Sequence, residues 1–319
     1  MSMRIAIGPC CWGVDDPKNP YLPDWKLVLG EAAQAGYKGI ELGPYGYLPL
    51  DIHAVKEELD KNDLTIIAGT IFDDLVSVGN RDNLLKMTDD ICALITQLPR
   101  APKAENQHFP TPYLTVMDFG HKERSRTAGH YDRAPRLSKE QWNGMMDNIR
   151  AIANLASEYG VRAVIHPHAG GYIEFEDEIN QVLEDISYET AGLCLDTGHL
   201  YYSGMDPVQW IRTHADRLDY IHFKDIDKEI YDQMMSIEID FFEACAKGVM
   251  CPIGKGIIDY GSIHSLVKEI NYQGWITIEQ ERDPRNCNSS LQDVSQSFEY
   301  LKSVGYSMNK YSEGVVSHD

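Results

Sequence analysis

Eight short apolar runs, each followed by a stretch with helical spacing, set the strongest limit on how this chain folds. The runs are 3-MRIAIG-8, 38-KGIEL-42, 64-LTIIAG-69, 113-YLTVMD-118, 161-VRAVIH-166, 191-AGLCLD-196, 218-LDYIHF-223 and 275-WITIEQ-280. Their near-continuous apolar character, rich in β-branched residues, is that of strands covered on both faces. Helical spacing fills the intervals at about 24–35, 51–61, 80–98, 138–159, 175–186, 206–215, 260–270 and 289–304. Start signals support several of these. Ser138 stands ahead of Glu140 and Gln141, Asp206 ahead of Pro207, and Asp259 ahead of the helix at 260–270.

Strict alternation predicts parallel strands joined by right-handed crossovers. Eight such strands close on themselves, so the expected fold is α/β, a single-domain (β/α)8 TIM barrel over residues 1–306. A doubly wound open sheet is the alternative. Residues 307–319 read as a polar C-terminal tail, either frayed or an arm onto a partner subunit, such as a second copy in a homo-oligomer. Two connections are too long for plain turns: 99–112 ahead of the fourth strand, and 119–136 after it. The second falls on the C-terminal rim, where such loops either cover a site or are surface insertions. His121, His130 and His214 read as surface or lid residues.

Composition narrows the partners. With a formal net charge of −20, the chain repels phosphate backbones and anionic lipid, which argues against nucleic acid and membranes. A metal cation or a neutral polyol suits it better. The start MSMRIAIGPCCWG has no signal-peptide character, and no 18 apolar residues run together. The seven cysteines show no zinc-finger spacing, so they read as thiols in a reducing cytoplasm.

Barrels of this kind carry their chemistry at the C-terminal ends of strands. Here the second strand ends on Glu41, the fifth on His166 with His168 beyond, and the sixth on Asp196 followed by His199. The seventh gives His222, Lys224 and Asp225, and the eighth Glu279, Glu281 and Arg282. Because strand side chains alternate with period two, His166 and His168 share a face, as do His222 and Lys224, and Glu279 and Glu281. One imidazole, one aspartate, a second imidazole and one glutamate can therefore converge from four neighbouring strands. Mixed nitrogen and oxygen ligands suit a divalent transition metal such as Mn, Co, Fe or Zn, with open positions to polarise an oxygen. Each residue also has a structural reading. His222 alone could be a satisfied core histidine, Asp196 a cap for 197–199, and Glu279 a salt-bridge partner. Gly254 and Gly256 in 252-PIGKGIID-259 resemble a phosphate loop only superficially.

The strings 8-GPCCWG-13, 40-IELGPYGYLP-49, 166-HPHAGGYIE-174, 192-GLCLDTGHLYYSGMDP-207, 221-IHFKD-225, 252-PIGKGIID-259 and 275-WITIEQERDP-284 are similar, in order and spacing, to the inosose dehydratase branch of the xylose isomerase-like TIM barrels. The resemblance spans nearly the whole chain. It implies a lyase that uses a divalent metal, manganese first, with Co, Fe, Zn or Mg as alternatives, to eliminate water from a keto-polyol. Carried over residue by residue, it implies Asp196, His222 and Glu279 as metal ligands. The strand-five ligand is usually glutamate in the wider superfamily, and this chain has His166 there, with His168 and Glu174 as alternatives.

Dehydration of this type needs a base for the proton α to the ketone and an acid for the leaving oxygen. Glu279 or Lys224 is the expected base, and His168 or His199 the expected acid. Glu41, Glu174, Asp225 and Arg282 are candidates for binding substrate. Glu41 could equally be an ion-pair partner near the barrel floor, and Glu174 the first acid of the helix it precedes. The alternatives on the same site are a ketose isomerase or epimerase, and β-elimination of an aglycone from a 3-keto-glycoside. A non-catalytic sugar-binding barrel is the alternative from another class.

Overall fold

In the computed structural model, which describes residues 3–306, the strands are β1 (Arg4–Ile7), β2 (Gly39–Ile40), β3 (Thr65–Ile66), β4 (Ala68–Asp73), β5 (Tyr113–Asp118), β6 (Arg162–Ile165), β7 (Gly192–Asp196), β8 (Leu218–Phe223), β9 (Asp225–Ile226), β10 (Met250–Cys251) and β11 (Trp275–Ile278). The tail expected at 307–319 lies outside the described residues. One sheet runs β3-β2-β1-β11-β8-β7-β6-β5-β4, with every pairing parallel. Its two ends, β3 and β4, are one barrel strand broken at Ile67. That residue still donates to Ile40 O at 2.9 Å and accepts from Tyr113 N at 2.9 Å, so the ring closes. The expected barrel is present and the open sheet is not.

Strand parity stacks the interior in layers. Ala6, Tyr113, Val164, Cys194, Tyr220 and Trp275 belong to one buried apolar cluster inside the ring. One period towards the C-terminal end, the same strands place Thr115, His166, Asp196, His222 and Thr277. Outward positions such as Ile5, Leu114, Ile165, Leu195, Ile221 and Ile276 pack against the helices. The β7–β8 ladder is irregular between Leu193 and Cys194, where Leu193 faces Leu218 but Cys194 faces Tyr220. This shift puts Asp196 level with His222.

The surrounding helices are Trp25–Ala35, Ile52–Asn62, Arg81–Ile95, Lys139–Glu158, Glu176–Asp185, Pro207–Thr213, Tyr260–Glu269 and Ser290–Ser303, at the expected places. Ser138 closes a capping box with Gln141, Asp206 accepts from Val208 and Gln209, and Asp259 accepts from Ser262. Segment 99–112 closes the barrel floor, where Arg4 donates to Pro102 O at 2.7 Å and Gln107 to the Tyr113 hydroxyl at 2.8 Å. The loop at 119–136 is pinned from within. It contains the short helix Lys122–Arg126, and Arg124 is fully buried against Glu174 and Glu178.

A third long connection, 224–259, was not marked by the sequence. It holds the antiparallel pair β9–β10 and the helices Lys228–Met235 and Phe241–Ala246, and its Phe241 and Val249 share a buried cluster with Ala128, Ala169 and Tyr202. No helix among the described residues is long and apolar enough to cross a membrane.

Candidate metal centre and active site

Four ligand-type atoms meet where β6, β7, β8 and β11 end. His166, Asp196, His222 and Glu279 each bring one ligand atom within 4.8 Å of the others. His166 Nε2 lies 3.2 Å from His222 Nδ1, and His222 Nδ1 lies 3.1 Å from Glu279 Oε2. Asp196 Oδ2 is 3.8 Å from His166 Nε2 and 4.0 Å from His222 Nδ1. The other Asp196 oxygen caps the helix Thr197–Tyr202 through His199 N at 2.9 Å. The capping reading of Asp196 holds through Oδ1, and Oδ2 remains available as a ligand atom.

These residues fit a divalent cation. Asp196 Oδ2 is buried with no hydrogen-bond donor and has only the Lys224 ammonium, 3.4 Å away, facing it, which leaves room for a ligated cation on the other side. Two imidazole nitrogens and two carboxylate oxygens form a mixed donor set whose spacing is close to that of atoms sharing one ion at about 2.0–2.2 Å. His222 is oriented from behind, its Nε2 lying 2.9 Å from Glu41 Oε1, which also accepts from the Tyr220 hydroxyl at 2.6 Å. Such outer partners fix a ligating ring. His166 lacks one, since its Nδ1 is buried without a partner. Cys194 lies a layer below, and burial pushes its thiol up to about 12.

A second group adjoins the first. His168, His199 and Glu281 also bring ligand-type atoms within 4.8 Å of one another. Lys224 Nζ stands between the two groups, 3.4 Å from Asp196 Oδ2, 3.1 Å from Glu279 Oε2 and 2.9 Å from His199 Nε2, and pairs closely with Glu281 Oε1. Gly198 makes this possible, because a Cβ there would meet Lys224 Cβ at 2.7 Å. Burial opposes the charge on Lys224, but Asp196, Glu281 and Glu279 hold its ammonium well above the ordinary value. Burial likewise opposes ionisation of Asp196 and Glu279. Lys224 chiefly overcomes it for Asp196, and His222 and Lys224 for Glu279, so both carboxyls sit below the usual range.

The two histidines of the second group are held neutral. Burial first, then His199 and Lys224, push His168 well below the ordinary imidazole value; burial and Lys224 do the same to His199. His168 Nδ1 is 2.8 Å from Ala169 O, an acceptor, so Nδ1 carries the proton and Nε2 the lone pair. His199 Nδ1 accepts the Ala169 amide at 3.1 Å.

Of these groups Glu41, His168, Glu279 and Glu281 line a pocket of about 660 Å³, together with Asp15 and Asp16, while His166, Asp196, His222, His199 and Lys224 lie buried behind them. Glu281 was not among the residues singled out for a role, although its shared parity with Glu279 was visible. One of its oxygens, Oε2, is buried without a partner.

Three expected substrate-binding residues are placed elsewhere. Glu174 accepts from Gly129 N, Gly170 N, the Ser203 hydroxyl and Arg124, and pins the rim loop. Asp225 spends its oxygens on the amides of Ile226, Gly254, Gly256 and Ile258, so the glycine segment folds around a carboxylate and offers no phosphate cradle. Arg282 turns outward to Asp293 at 2.7 Å and Ser289 at 3.0 Å. Glu41 does line the pocket, as the partner of His222 rather than as a free group.

Fold and site together define a class: a (β/α)8-barrel protein with a mixed nitrogen–oxygen ligand cluster at the strand ends. The sequence pattern described as Xylose isomerase-like TIM barrel matches residues 29–304, and the chain belongs to that family. It is 28% identical over 328 residues to inosose dehydratase of Geobacillus kaustophilus (strain HTA426), covering 99% of this chain and 95% of the relative. It is 26% identical over 310 residues to inosose dehydratase of Clostridium botulinum (strain Alaska E43 / Type E3), covering 94% and 96%. Solved structures share the fold. The probable 3-DHS dehydratase AsbF from Bacillus anthracis matches with a TM-score of 0.69 at 14% identity, over 94% of this chain and 99% of that one. The IOLI protein with a bound zinc atom matches with a TM-score of 0.68 at 14% identity, over 96% and 100%.

Proposed function

We propose that this chain is a metal-dependent carbon–oxygen lyase acting on a keto-polyol or keto-sugar, by loss of a proton α to the ketone and expulsion of an oxygen substituent from the β carbon. One observation carries the reading: a cluster of ligand-type atoms from His166, Asp196, His222 and Glu279 adjoins the imidazole of His168 and the ammonium of Lys224, beside a pocket that Glu279 and His168 line. The full-length similarity to two inosose dehydratases supports it.

A divalent cation held by the four ligands, zinc as in the IOLI neighbour or manganese, would supply Lewis acidity at the ketone oxygen. The protein's own groups then divide the proton work. His168 Nε2 offers a lone pair to the α-proton, and Lys224 Nζ offers a proton to the departing oxygen. This reverses the direction that the sequence suggests for both residues. The Ala169 carbonyl fixes the His168 tautomer, and three carboxylates keep Lys224 charged. His199 gives Lys224 a contact that improves once its proton has left, and Glu281 Oε2 faces a substrate hydroxyl. The seven free thiols suit a cytoplasmic enzyme.

The test is incubation of the metal-loaded protein with 2-keto-myo-inositol in deuterated water. The lyase reading expects loss of one water and the absorbance of the resulting α-hydroxy-enone, the enol form of a 1,2-dione. Deuterium incorporation or epimer formation without loss of water would assign the site to an isomerase or epimerase instead.

A further inference from the structure

The pocket has two unlike halves. Its catalytic side is polar, as described. Its other side is built from Tyr45, Phe72, Met87, Met117 and Phe242, contributed by five separate parts of the chain. These side chains are only partly buried, although apolar groups of this size are usually covered. Phe72 stacks on Phe119 with ring centroids 4.6 Å apart, and Phe242 meets Phe119 edge-on at 5.3 Å, so the wall is a braced aromatic surface. It begins at the reacting groups, since Phe72 lies 5.1 Å from the His168 ring.

A bare polyol does not suit this half. Its hydroxyls would lose water against rings and thioethers that return no hydrogen bonds. The volume agrees, because pockets of roughly 300–1,000 Å³ hold drug-sized ligands, and about 660 Å³ exceeds what one six-membered polyol fills. We infer that the substrate is a keto-sugar carrying an aromatic ring, a keto-glycoside with an aryl aglycone whose sugar lies over the ligand cluster and whose ring lies against Phe72 and Phe242.

This rests on the proposed lyase reading and names its substrate class. In a 3-keto-glycoside the C2 proton passes to the base, a C1=C2 double bond forms as the C1–O bond breaks, and the aryloxy group leaves with a proton. Atoms and electrons balance without an oxidant or further reactant.

Binding decides the inference separately from turnover. Calorimetric titration with phenyl β-D-glucopyranoside, methyl β-D-glucopyranoside and myo-inositol is expected to show the phenyl glycoside binding at least tenfold tighter than the other two. Phe242→Ala is expected to cut that preference below threefold and leave methyl glycoside affinity unchanged. Met87→Gln serves as a second variant, expected to shift the preference the same way. Equal affinity for phenyl and methyl probes, or a preference untouched by both variants, would overturn the inference. Turnover is then followed with 4-nitrophenyl 3-keto-β-D-glucopyranoside, where nitrophenol release is expected. Preferential phenyl binding without release from this probe or reaction of 2-keto-myo-inositol would count against the lyase reading and leave the aromatic subsite standing.

Discussion

Lys224 Nζ lies 2.9 Å from His199 Nε2, while the other nitrogen of that ring already accepts the Ala169 amide at 3.1 Å. A neutral imidazole has one lone pair to offer, so an ammonium and an amide compete for one acceptor. Release of a proton from Lys224 would end the competition, because His199 Nε2–H could then donate to the amine. The contact makes Lys224 a proton donor with somewhere favourable to go. Replacing it with Met should lower kcat by about 10²–10⁴-fold, the usual range for a general acid or base. Metal content should stay at the wild-type value, which elemental analysis of the variant checks.

The proposed base, His168, sets the acid limb of the pH profile. Burial, His199 and Lys224 all disfavour its protonation, and a cation on the neighbouring ligands acts in the same sense. The imidazole therefore stays unprotonated below its ordinary value of about 6.5. The profile of kcat/KM should remain flat through that value as pH falls, and decline only below it. A limb centred at 6.5 or above would remove His168 from the role.

Glu41 should act through His222. Its carboxylate holds His222 Nε2 at 2.9 Å, and loss of such an outer partner weakens metal binding by roughly 10–100-fold. Glu41→Gln should show that loss in a metal titration, with thermal stability of the metal-free protein little changed.

The helical and strand frame was legible in the sequence because buried parallel strands and amphipathic helices leave periodic signatures. The strand-end cluster was legible for a related reason: ionisable groups at His166, Asp196, His222 and Glu279 interrupt apolar runs with inward parity. Parity could not separate His166 from His168. The strand ends at Ile165, and the turn that follows carries His168 across to Glu281 and His199. Nor could sequence show that Glu174 answers Arg124, fifty residues away, or that Asp225 answers amides at 254–258. Those partners are set by tertiary approach and leave no local pattern. The aromatic wall escaped for the same reason, since Phe72, Phe119 and Phe242 come from separate segments.

Arg124 offers a stability test remote from the chemistry. It is fully buried and answers both Glu174 and Glu178. Removing one side of a buried ionic group strands the other, at a cost of about 3–5 kcal/mol. Arg124→Met should lower unfolding stability by that amount in urea titration, and loosen the 119–136 loop to limited proteolysis.

The most direct test of the central claim is metal stoichiometry by elemental analysis after reconstitution with manganese or zinc, comparing the wild-type chain with Asp196→Asn and His222→Ala. The account predicts one tightly held divalent ion per wild-type chain and its loss from both variants while they remain folded by circular dichroism. A folded wild-type protein that retains no divalent ion, or variants that retain it fully, would contradict a metal centre at His166, Asp196, His222 and Glu279.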